Sequence, residues 1–304
     1  MIPIRQRTIK DQVVVEGVGL QTGKPITLKL NSAPANSGVN FIRTDLPNKP
    51  LLNIRSLGPT MNQNILPKHS GGSVHSCHEP NEVLVHGKAP ERRTTLGTGP
   101  LQIQTTEHFL AALSGLGIDN ITAELDNVEL PGLDGSALGF VEALKKAGMR
   151  EQDEPRKVLK AENAVWVRGD DNILAVFPSD EFKISYTMSY KNPSLGTHFF
   201  EIAVNEKSFE KEIAPARTFC LKEEALILLK MGLGKGANYD NTLVISKEGP
   251  VKNKLRFADE PVRHKVLDLI GDLYILGMPL IGHVVAVKSG HKLNMELVKK
   301  LKKE

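Results

Sequence analysis

Residues 259–277, DEPVRHKVLDLIGDLYILG, are the stretch around which the fold is organised, and they predict a single amphipathic helix. Asp259 suits the N-cap, Pro261 suits the first turn, where a missing N–H costs nothing, and Gly277 suits the stop. At about 100° per residue, one face of this helix is entirely apolar. Its members are Val262, Val266, Leu269, Leu273 and Leu276.

A polar stripe runs along the opposite face of the same helix. His264, Asp268 and Asp272 follow one another at four-residue spacing, so their side chains stack one turn apart. A His and an Asp one turn apart can point at one metal ion. A solvent-facing His–Asp pair explains this helix at least as well, so the rest of the chain has to decide between the two interpretations.

Composition limits the class of protein. The 304 residues carry 39 basic and 35 acidic side chains, aromatic residues make up 5%, and no nucleic-acid-binding motif occurs, so no nucleic-acid partner is expected. Cys77 and Cys220 are too few for a disulfide framework. There is no leader-like apolar segment and no run of about 18 apolar residues. We expect a cytoplasmic monomer without a transmembrane segment.

The pattern of helices and strands predicts two α+β domains. The charged, Pro-containing segment 150–157 lacks periodicity and marks the boundary, giving residues 1–150 and 151–304. The first domain contains a polar insert at about 55–93, which we interpret as a surface insertion. Its His and Cys residues match no standard zinc-site spacing; they are His69, His75, Cys77, His78 and His86.

A faint internal repeat relates the two halves. A predicted helix at 105–117, with a Thr cap and a Gly stop, precedes a strand in the first half, as the helix at 259–277 does in the second. His108 lies nine residues before Gly117, and Asp268 lies nine residues before Gly277. Equivalent helices of repeated modules pack against each other, so the spacing predicts that these two helices face one another.

Such packing would assemble a catalytic metal site. His108, His264 and Asp268 form a three-ligand zinc set that leaves a fourth position open, and Glu107 could take a proton from water there. By itself, Glu107–His108 could equally be two solvated residues at a helix start. His291 lies in a predicted glycine turn, where Asp272 could keep its imidazole protonated.

Five motifs resemble the signatures of the UDP-3-O-acyl-N-acetylglucosamine deacetylase family, the zinc amidases of lipid A biosynthesis. They occur in the family's order, within a resemblance that extends from Gly17 to Asn294. The motifs are TTEHFLAAL at 105–113, LPGLDGSA at 130–137, ARTF at 216–219, RHKVLDLIGD at 263–272 and SGH at 289–291.

The resemblance implies a role for each matching residue. It implies zinc ligands at His108, His264 and Asp268, a general base at Glu107, and a general acid at His291 supported by Asp272. Lys265 and Thr218 would stabilise the oxyanion. The segment at about 219–240 would form an acyl-chain passage, although a core face explains its apolar spacing equally well. The implied substrate contacts are Phe219, Leu221, Ala225 and Leu228, with Lys288 near the diphosphate.

The implied fold consists of two similar α+β domains, each a sheet layered on helices, with the active site at their interface. The implied reaction removes the N-acetyl group of UDP-3-O-(3-hydroxyacyl)-N-acetylglucosamine, a UDP-sugar with an acyl chain, releasing acetate. Iron(II) could occupy the same ligands as zinc. Two alternatives are an amidohydrolase for another N-acyl substrate and a non-catalytic nucleotide-sugar or lipid-binding module. One departure is Gln21, where the family usually has His.

Overall fold

The computed structural model describes residues 5–57 and 93–303. The histidines and Cys77 of the polar insert lie outside these ranges. The described helices are α1 Glu107–Leu116, α2 Leu138–Ala147, α3 Glu206–Ser208, α4 Lys222–Lys230, α5 Glu260–Leu273 and α6 His291–Leu301. Short 3₁₀ turns occur at Ile54–Ser56 and Tyr274–Leu276, and a π-helical turn occurs at Phe209–Ile213.

The strands of the first half are β1 Arg5–Ile9, β2 Val13–Val18, β3 Pro25–Ser32, β4 Val39–Arg43, β5 Leu51–Asn53, β6 Thr95–Leu96, β7 Ile103–Gln104 and β8 Ile121–Leu125. Those that follow are β9 Met149–Pro155, β10 Leu159–Lys160, β11 Val165–Arg168, β12 Ile173–Phe177, β13 Phe182–Ser189, β14 Thr197–Ala203, β15 Phe219–Leu221, β16 Leu243–Ser246, β17 Gly249–Pro250 and β18 Leu280–Val287.

Two large sheets share one topology. The first has the order β2-β3-β8-β4-β5, and the second has the order β11-β12-β18-β13-β14, with β10 beside β18. In each sheet the central pair, β8 with β4 or β18 with β13, is parallel, and the flanking pairs on this path are antiparallel. In each half the central strand follows the helix, α1 or α5, that carries site candidates. The predicted class, two similar α+β units, is therefore confirmed.

Helices α1 and α5 pack directly against each other, as the shared spacing predicted. Their closest approach is at Gly271, where a Cβ atom would lie 1.9 Å from the carbonyl oxygen of Glu107. Because such a distance leaves no room for a side chain, only glycine allows α5 to approach the first turn of α1. Phe109 of α1 continues into the core, packing edge-on against Phe41 and Phe140.

The helix ends differ in detail from the sequence prediction. Asp259 and Thr106 occupy N-cap positions, but neither side chain makes a capping bond, and Asp259 instead accepts a hydrogen bond from Arg263 Nε at 2.6 Å. Both predicted glycine stops are confirmed: Gly117 and Gly277 have φ of 67° and 79°, the left-handed region that glycine tolerates.

Two segments have more regular structure than predicted. The charged segment after residue 149 is strand β9, which pairs with β1, because backbone pairing does not require an apolar side-chain period. A domain boundary in this segment stays a prediction. His291 is the first residue of α6 and does not lie in a glycine turn. Gly290 is the N-cap residue and directs the imidazole back towards α5.

Candidate metal centre and active site

The polar stripe of α5 is buried. His264, Asp268 and Asp272 are 3%, 5% and 0% exposed, because α1 covers this face from the other half of the chain. Charged groups are almost never fully buried without partners or a metal. The interpretation of the stripe as a solvent-facing ion pair is therefore wrong.

Three donor groups converge between α1 and α5. The Nε2 atoms of His108 and His264 lie 3.7 and 3.3 Å from Asp268 Oδ1, and one donor atom from each residue lies within 4.8 Å of the others. His264 Nδ1 lies 3.0 Å from the Ala216 carbonyl, which accepts its proton and leaves Nε2 with a lone pair facing the cluster. This backbone contact is typical of metal-binding histidines.

The protonation states suit a divalent cation. Burial and the charge of His264 lower the pKa of His108 to about 3, and burial also lowers the pKa of His264, so both imidazoles are neutral. Burial would raise the pKa of Asp268, but His264, Lys265 and other neighbours lower it to about 2. Two neutral imidazoles and a carboxylate that together border an open cavity fit zinc or a related metal.

Glu107, the first residue of α1, lies beside this cluster. One of its carboxylate oxygens, one atom from His291 and one from Asp268 fall within 4.8 Å of one another. Oε2 accepts a hydrogen bond from the Thr94 backbone N–H at 3.0 Å. Burial, with Asp268 and Asp272 adding to it, raises the pKa of Glu107 to about 7. This carboxyl can therefore both take up and release a proton near neutral pH.

Largely buried His291 and fully buried Asp272 form a pair next to Glu107 at the same cluster. His291 Nδ1 lies 2.8 Å from Asp272 Oδ2, and His291 Nε2 lies 4.0 Å from Asp268 Oδ2. Burial alone would lower the pKa of His291, but the charge and hydrogen bond of Asp272 raise it to about 9. His291 is therefore an imidazolium at neutral pH, able to give up a proton towards the cluster.

Lys265 and Thr218 border the same space. Lys265 Nζ lies 3.5 Å from Asp268 Oδ2; burial alone would lower its pKa, but Tyr186 and Asp268 raise it above the usual range, so it stays charged. Thr218 follows Arg217, whose buried guanidinium lies 2.9 Å from Glu260 at the start of α5. This ion pair fixes the Thr218 segment against the helix that carries His264 and Lys265.

A cavity of about 560 Å³ extends from the cluster to α4. Glu107, His108, His264 and Asp268 line its inner end, and an apolar wall leads outwards. The wall includes Leu20, Phe219, Ala225, Leu226, Leu228 and Leu229.

Of the predicted passage residues, Phe219, Ala225 and Leu228 line this cavity, but the structure does not bring Leu221 to it. Leu221 ends strand β15 and belongs to the hydrophobic core, since α4 begins only at the next residue. The helical spacing that grouped Leu221 with Ala225 therefore does not apply.

A second cavity of about 630 Å³ adjoins the first and shares Tyr190, Lys265, Gly290 and His291 with it. Lys288 lies here, 3.0 Å from Asp171, and Arg168 and Lys292 also line the space. The cavity is also lined by Asp170, Asp171 and Glu296. The structure thus places Lys288 on a cavity of mixed charge next to the site, where its predicted diphosphate contact stays a prediction.

Gln21 links the two halves at the cavity. Its backbone carbonyl and side-chain Oε1 accept hydrogen bonds from Lys235 and Gly234 at 3.3 and 3.2 Å, and Gln21 lines the apolar cavity. Its own N–H donates to buried Glu129 at 2.9 Å. In this chain Gln21 therefore binds the glycine-rich loop that follows α4.

Thr94 and Asn294 belong to the site although no sequence motif pointed to them. Both donate hydrogen bonds to Asp272, Thr94 Oγ1 at 2.5 Å and Asn294 Nδ2 at 2.8 Å. Asn294 lies one turn after His291, so its spacing was available as a signal. Thr94 lies at the end of the polar insert, where no periodicity points to it, and only the tertiary packing reveals its contacts.

Within residues 5–57 and 93–303, every helix is too short or too polar to span a lipid bilayer.

Comparisons with known proteins agree on one family. A family model described as UDP-3-O-acyl N-acetylglycosamine deacetylase matches residues 6–303. The UDP-3-O-acyl-N-acetylglucosamine deacetylase of Chlamydia pneumoniae is 39% identical over 303 residues, covering 99% of this chain and 98% of the relative. The enzyme of that name from Anaeromyxobacter sp. (strain Fw109-5) is 38% identical over 297 residues, covering 97% and 88%. The chain belongs to the LpxC family, the UDP-3-O-acyl N-acetylglycosamine deacetylases.

Proposed function

We propose that this chain removes the N-acetyl group of UDP-3-O-acyl-N-acetylglucosamine, releasing acetate and the free 2-amino sugar nucleotide in lipid A biosynthesis. The family assignment supports the reaction. The observation that carries the mechanism is the convergence of His108, His264 and Asp268 next to a carboxyl and an imidazolium at the end of an apolar cavity. A structural metal site would instead use four protein ligands.

His108, His264 and Asp268 would hold the metal, which we propose to be zinc, with iron(II) able to use the same ligands. When bound, such a cation polarises the amide carbonyl and makes water a better nucleophile near neutral pH. Glu107 and His291 transfer protons, and Lys265 and Thr218 stabilise negative charge.

Glu107 acts as the general base. Its carboxyl removes a proton from the attacking water, and its pKa of about 7 matches that task. Lys265 and the Thr218 hydroxyl face the developing oxyanion as a charge and a hydrogen-bond donor. His291 then donates its proton to the leaving nitrogen, with Asp272 holding the imidazole in place. The amide C–N bond breaks to give acetate and the amine.

The two cavities suit different parts of the substrate. The apolar cavity beside α4 suits the 3-O-acyl chain, and the neighbouring cavity with Lys288, Arg168 and Lys292 suits the diphosphate. This division favours the UDP-sugar substrate over a small N-acyl compound. The presence of both Glu107 and His291 favours an enzyme over a binding module, which would not need the two together.

A paired assay tests the substrate assignment. Acetate release is followed with UDP-3-O-acyl-N-acetylglucosamine and with UDP-N-acetylglucosamine, which lacks the acyl chain, and mass spectrometry checks for the deacetylated amine. We expect rapid release only from the acylated substrate. Equal or greater release from the unacylated one would contradict the assignment of the apolar cavity.

Leu228→Asp tests which wall contacts the acyl chain. A carboxylate in the apolar cavity should raise KM for the acylated substrate by about tenfold or more, since burying a charge beside an alkyl chain is costly. Val158→Asp is the matched control, because Val158 is exposed and does not line the cavity. An unchanged KM in Leu228→Asp would exclude this wall as the acyl site.

A further inference from the structure

Thr94 lies between the two carboxyl groups that handle protons in the site. It is 2% exposed and immediately precedes β6. All three of its polar groups are used: its N–H donates to Glu107 Oε2 at 3.0 Å, its carbonyl accepts from the Thr106 N–H at 3.3 Å, and Oγ1 donates to Asp272 Oδ1 at 2.5 Å. One residue therefore contacts both the base and the partner of the acid.

The hydroxyl completes the hydrogen bonding of the Asp272 carboxylate. His291 and Asn294 both bind Oδ2, whereas Thr94 binds Oδ1. The terminal torsion of an Asp side chain has broad energy wells, so bonds to a single oxygen leave the carboxylate plane poorly defined. The third bond engages the other oxygen and fixes that plane, and Thr94 Oγ1 also lies 3.1 Å from His291 Nδ1, so the hydroxyl restrains the His291 ring as well.

The backbone of Thr94 has a matching effect on the base. Glu107 opens α1, where its side chain has several rotamers available, and the Thr94 N–H holds one carboxyl oxygen in place. The Thr106 contact anchors Thr94 to the same helix start. Glu107 and Asp272 belong to α1 and α5, so Thr94 connects groups from two helices.

We propose that Thr94 is a positioning residue that sets the relative orientation of the Glu107 carboxyl and the Asp272–His291 pair. The inference rests on the proposed function and extends it to a residue outside the matched motifs. A productive orientation is needed only as the proton moves, so loss of the hydroxyl lowers kcat while leaving KM nearly unchanged.

Thr94→Val and Thr94→Ser separate the hydroxyl from the shape of the side chain. Valine keeps the volume and the backbone N–H, but it leaves buried Asp272 Oδ1 without the Thr94 donor. We expect kcat to fall by about tenfold or more, as for a lost hydrogen bond to a charged group. Serine restores the donor and should return kcat to within about threefold of the original.

Thr8→Val is the matched control. Thr8 is fully buried and its Oγ1 accepts a hydrogen bond from the Ala33 N–H at 3.1 Å, on the β1 side of the molecule. This variant loses a buried hydroxyl without touching the site, so its kcat should be unchanged. If Thr94→Val does not fold in thermal melting, Thr94→Ala takes its place in the comparison.

A double variant and a spectroscopic readout complete the test. Combining Thr94→Val with Asp272→Asn should lower kcat little more than Asp272→Asn alone, because both act through one carboxylate.

The NMR resonance of the His291 Nδ1 proton should shift in Thr94→Val but not in Thr94→Ser or Thr8→Val. This signal does not depend on turnover, so it tests Thr94 even if the unmodified chain releases no acetate, which would contradict the proposed function alone. An unshifted resonance, an unchanged kcat in Thr94→Val, or losses that multiply in the double variant would overturn the proposal.

Discussion

Glu107 and His291 meet the two opposite requirements of amide hydrolysis because their surroundings differ. Burial raises the pKa of the Glu107 carboxyl to about 7, while Asp272 raises the pKa of the His291 imidazole to about 9. Between these values the carboxylate can accept a proton and the imidazolium can donate one. The site thus contains a proton acceptor and a proton donor close together beside the ligand cluster.

Glu107→Gln removes the base while keeping the size of the side chain. We expect kcat to fall by about a hundredfold to ten-thousandfold, the usual contribution of a general base. Metal content should be unchanged, because His108, His264 and Asp268 remain. Steady-state kinetics and elemental analysis of the same preparation measure both. Glu124→Gln, on strand β8, is the matched control, and near-normal turnover in Glu107→Gln would rule out Glu107 as the base.

Asp272→Asn tests the cause of the raised pKa of His291. A group that works in its protonated form loses activity as the pH rises through its pKa, so the alkaline limb of kcat should lie near pH 9. Without the Asp272 carboxylate, the two largest causes of the rise are lost while burial still lowers the pKa, so the limb should move down towards about 6.5, the ordinary value for His. At about pH 8 this shift corresponds to roughly a thirtyfold loss. A pH–rate profile measures it, and an unmoved alkaline limb would contradict the assignment of His291 as the acid.

At the scale of the elements, the contact between α1 and α5 decides whether the site exists. The ligands come from both helices, and the approach depends on Gly271 lying against the Glu107 carbonyl. Sequence periodicity predicted both helices and their glycine stops, because these depend on local side-chain pattern and backbone conformation. It did not predict the N-cap contacts of Asp259 and Thr106, since Arg263 competes for Asp259 and Thr106 faces the Thr94 backbone.

Gly271→Ala should separate the two helices. An alanine favours an isolated helix by about 1 kcal/mol over glycine, but overpacking against a fixed backbone atom costs about 1–3 kcal/mol and occasionally more. We expect net destabilisation, a melting temperature lower by several degrees, and loss of metal affinity as His108 moves away. Thermal melting and a metal-binding titration measure these effects.

Gly139→Ala in α2 is the control for the helix preference of alanine, because a Cβ there meets only the end of the Leu133 side chain, which can move. If Gly271→Ala has the same melting temperature and metal affinity as Gly139→Ala, the close contact between α1 and α5 is not needed for the site.

At the scale of the whole molecule, two sheets of the same strand order place equivalent helices face to face. The shared nine-residue spacing before Gly117 and Gly277 was the sequence signal for this arrangement, and the residue motifs supplied the ligand set. Thr94 and the true position of Leu221 could not be predicted, because the first depends on packing across the halves and the second on where α4 begins. Local patterns therefore indicated the helices and the ligands, and tertiary contacts determine how each ligand is held.

Removal and return of the metal test most directly whether His108, His264 and Asp268 hold one ion that the deacetylation requires. Metal content per chain and acetate release from UDP-3-O-acyl-N-acetylglucosamine are measured together for the unmodified protein, for Asp268→Ala, and during chelation and metal return. We expect one metal per chain, activity that disappears on chelation and returns with one equivalent of zinc, and neither bound metal nor activity in Asp268→Ala. Acetate release that survives complete removal of the metal would contradict this expectation.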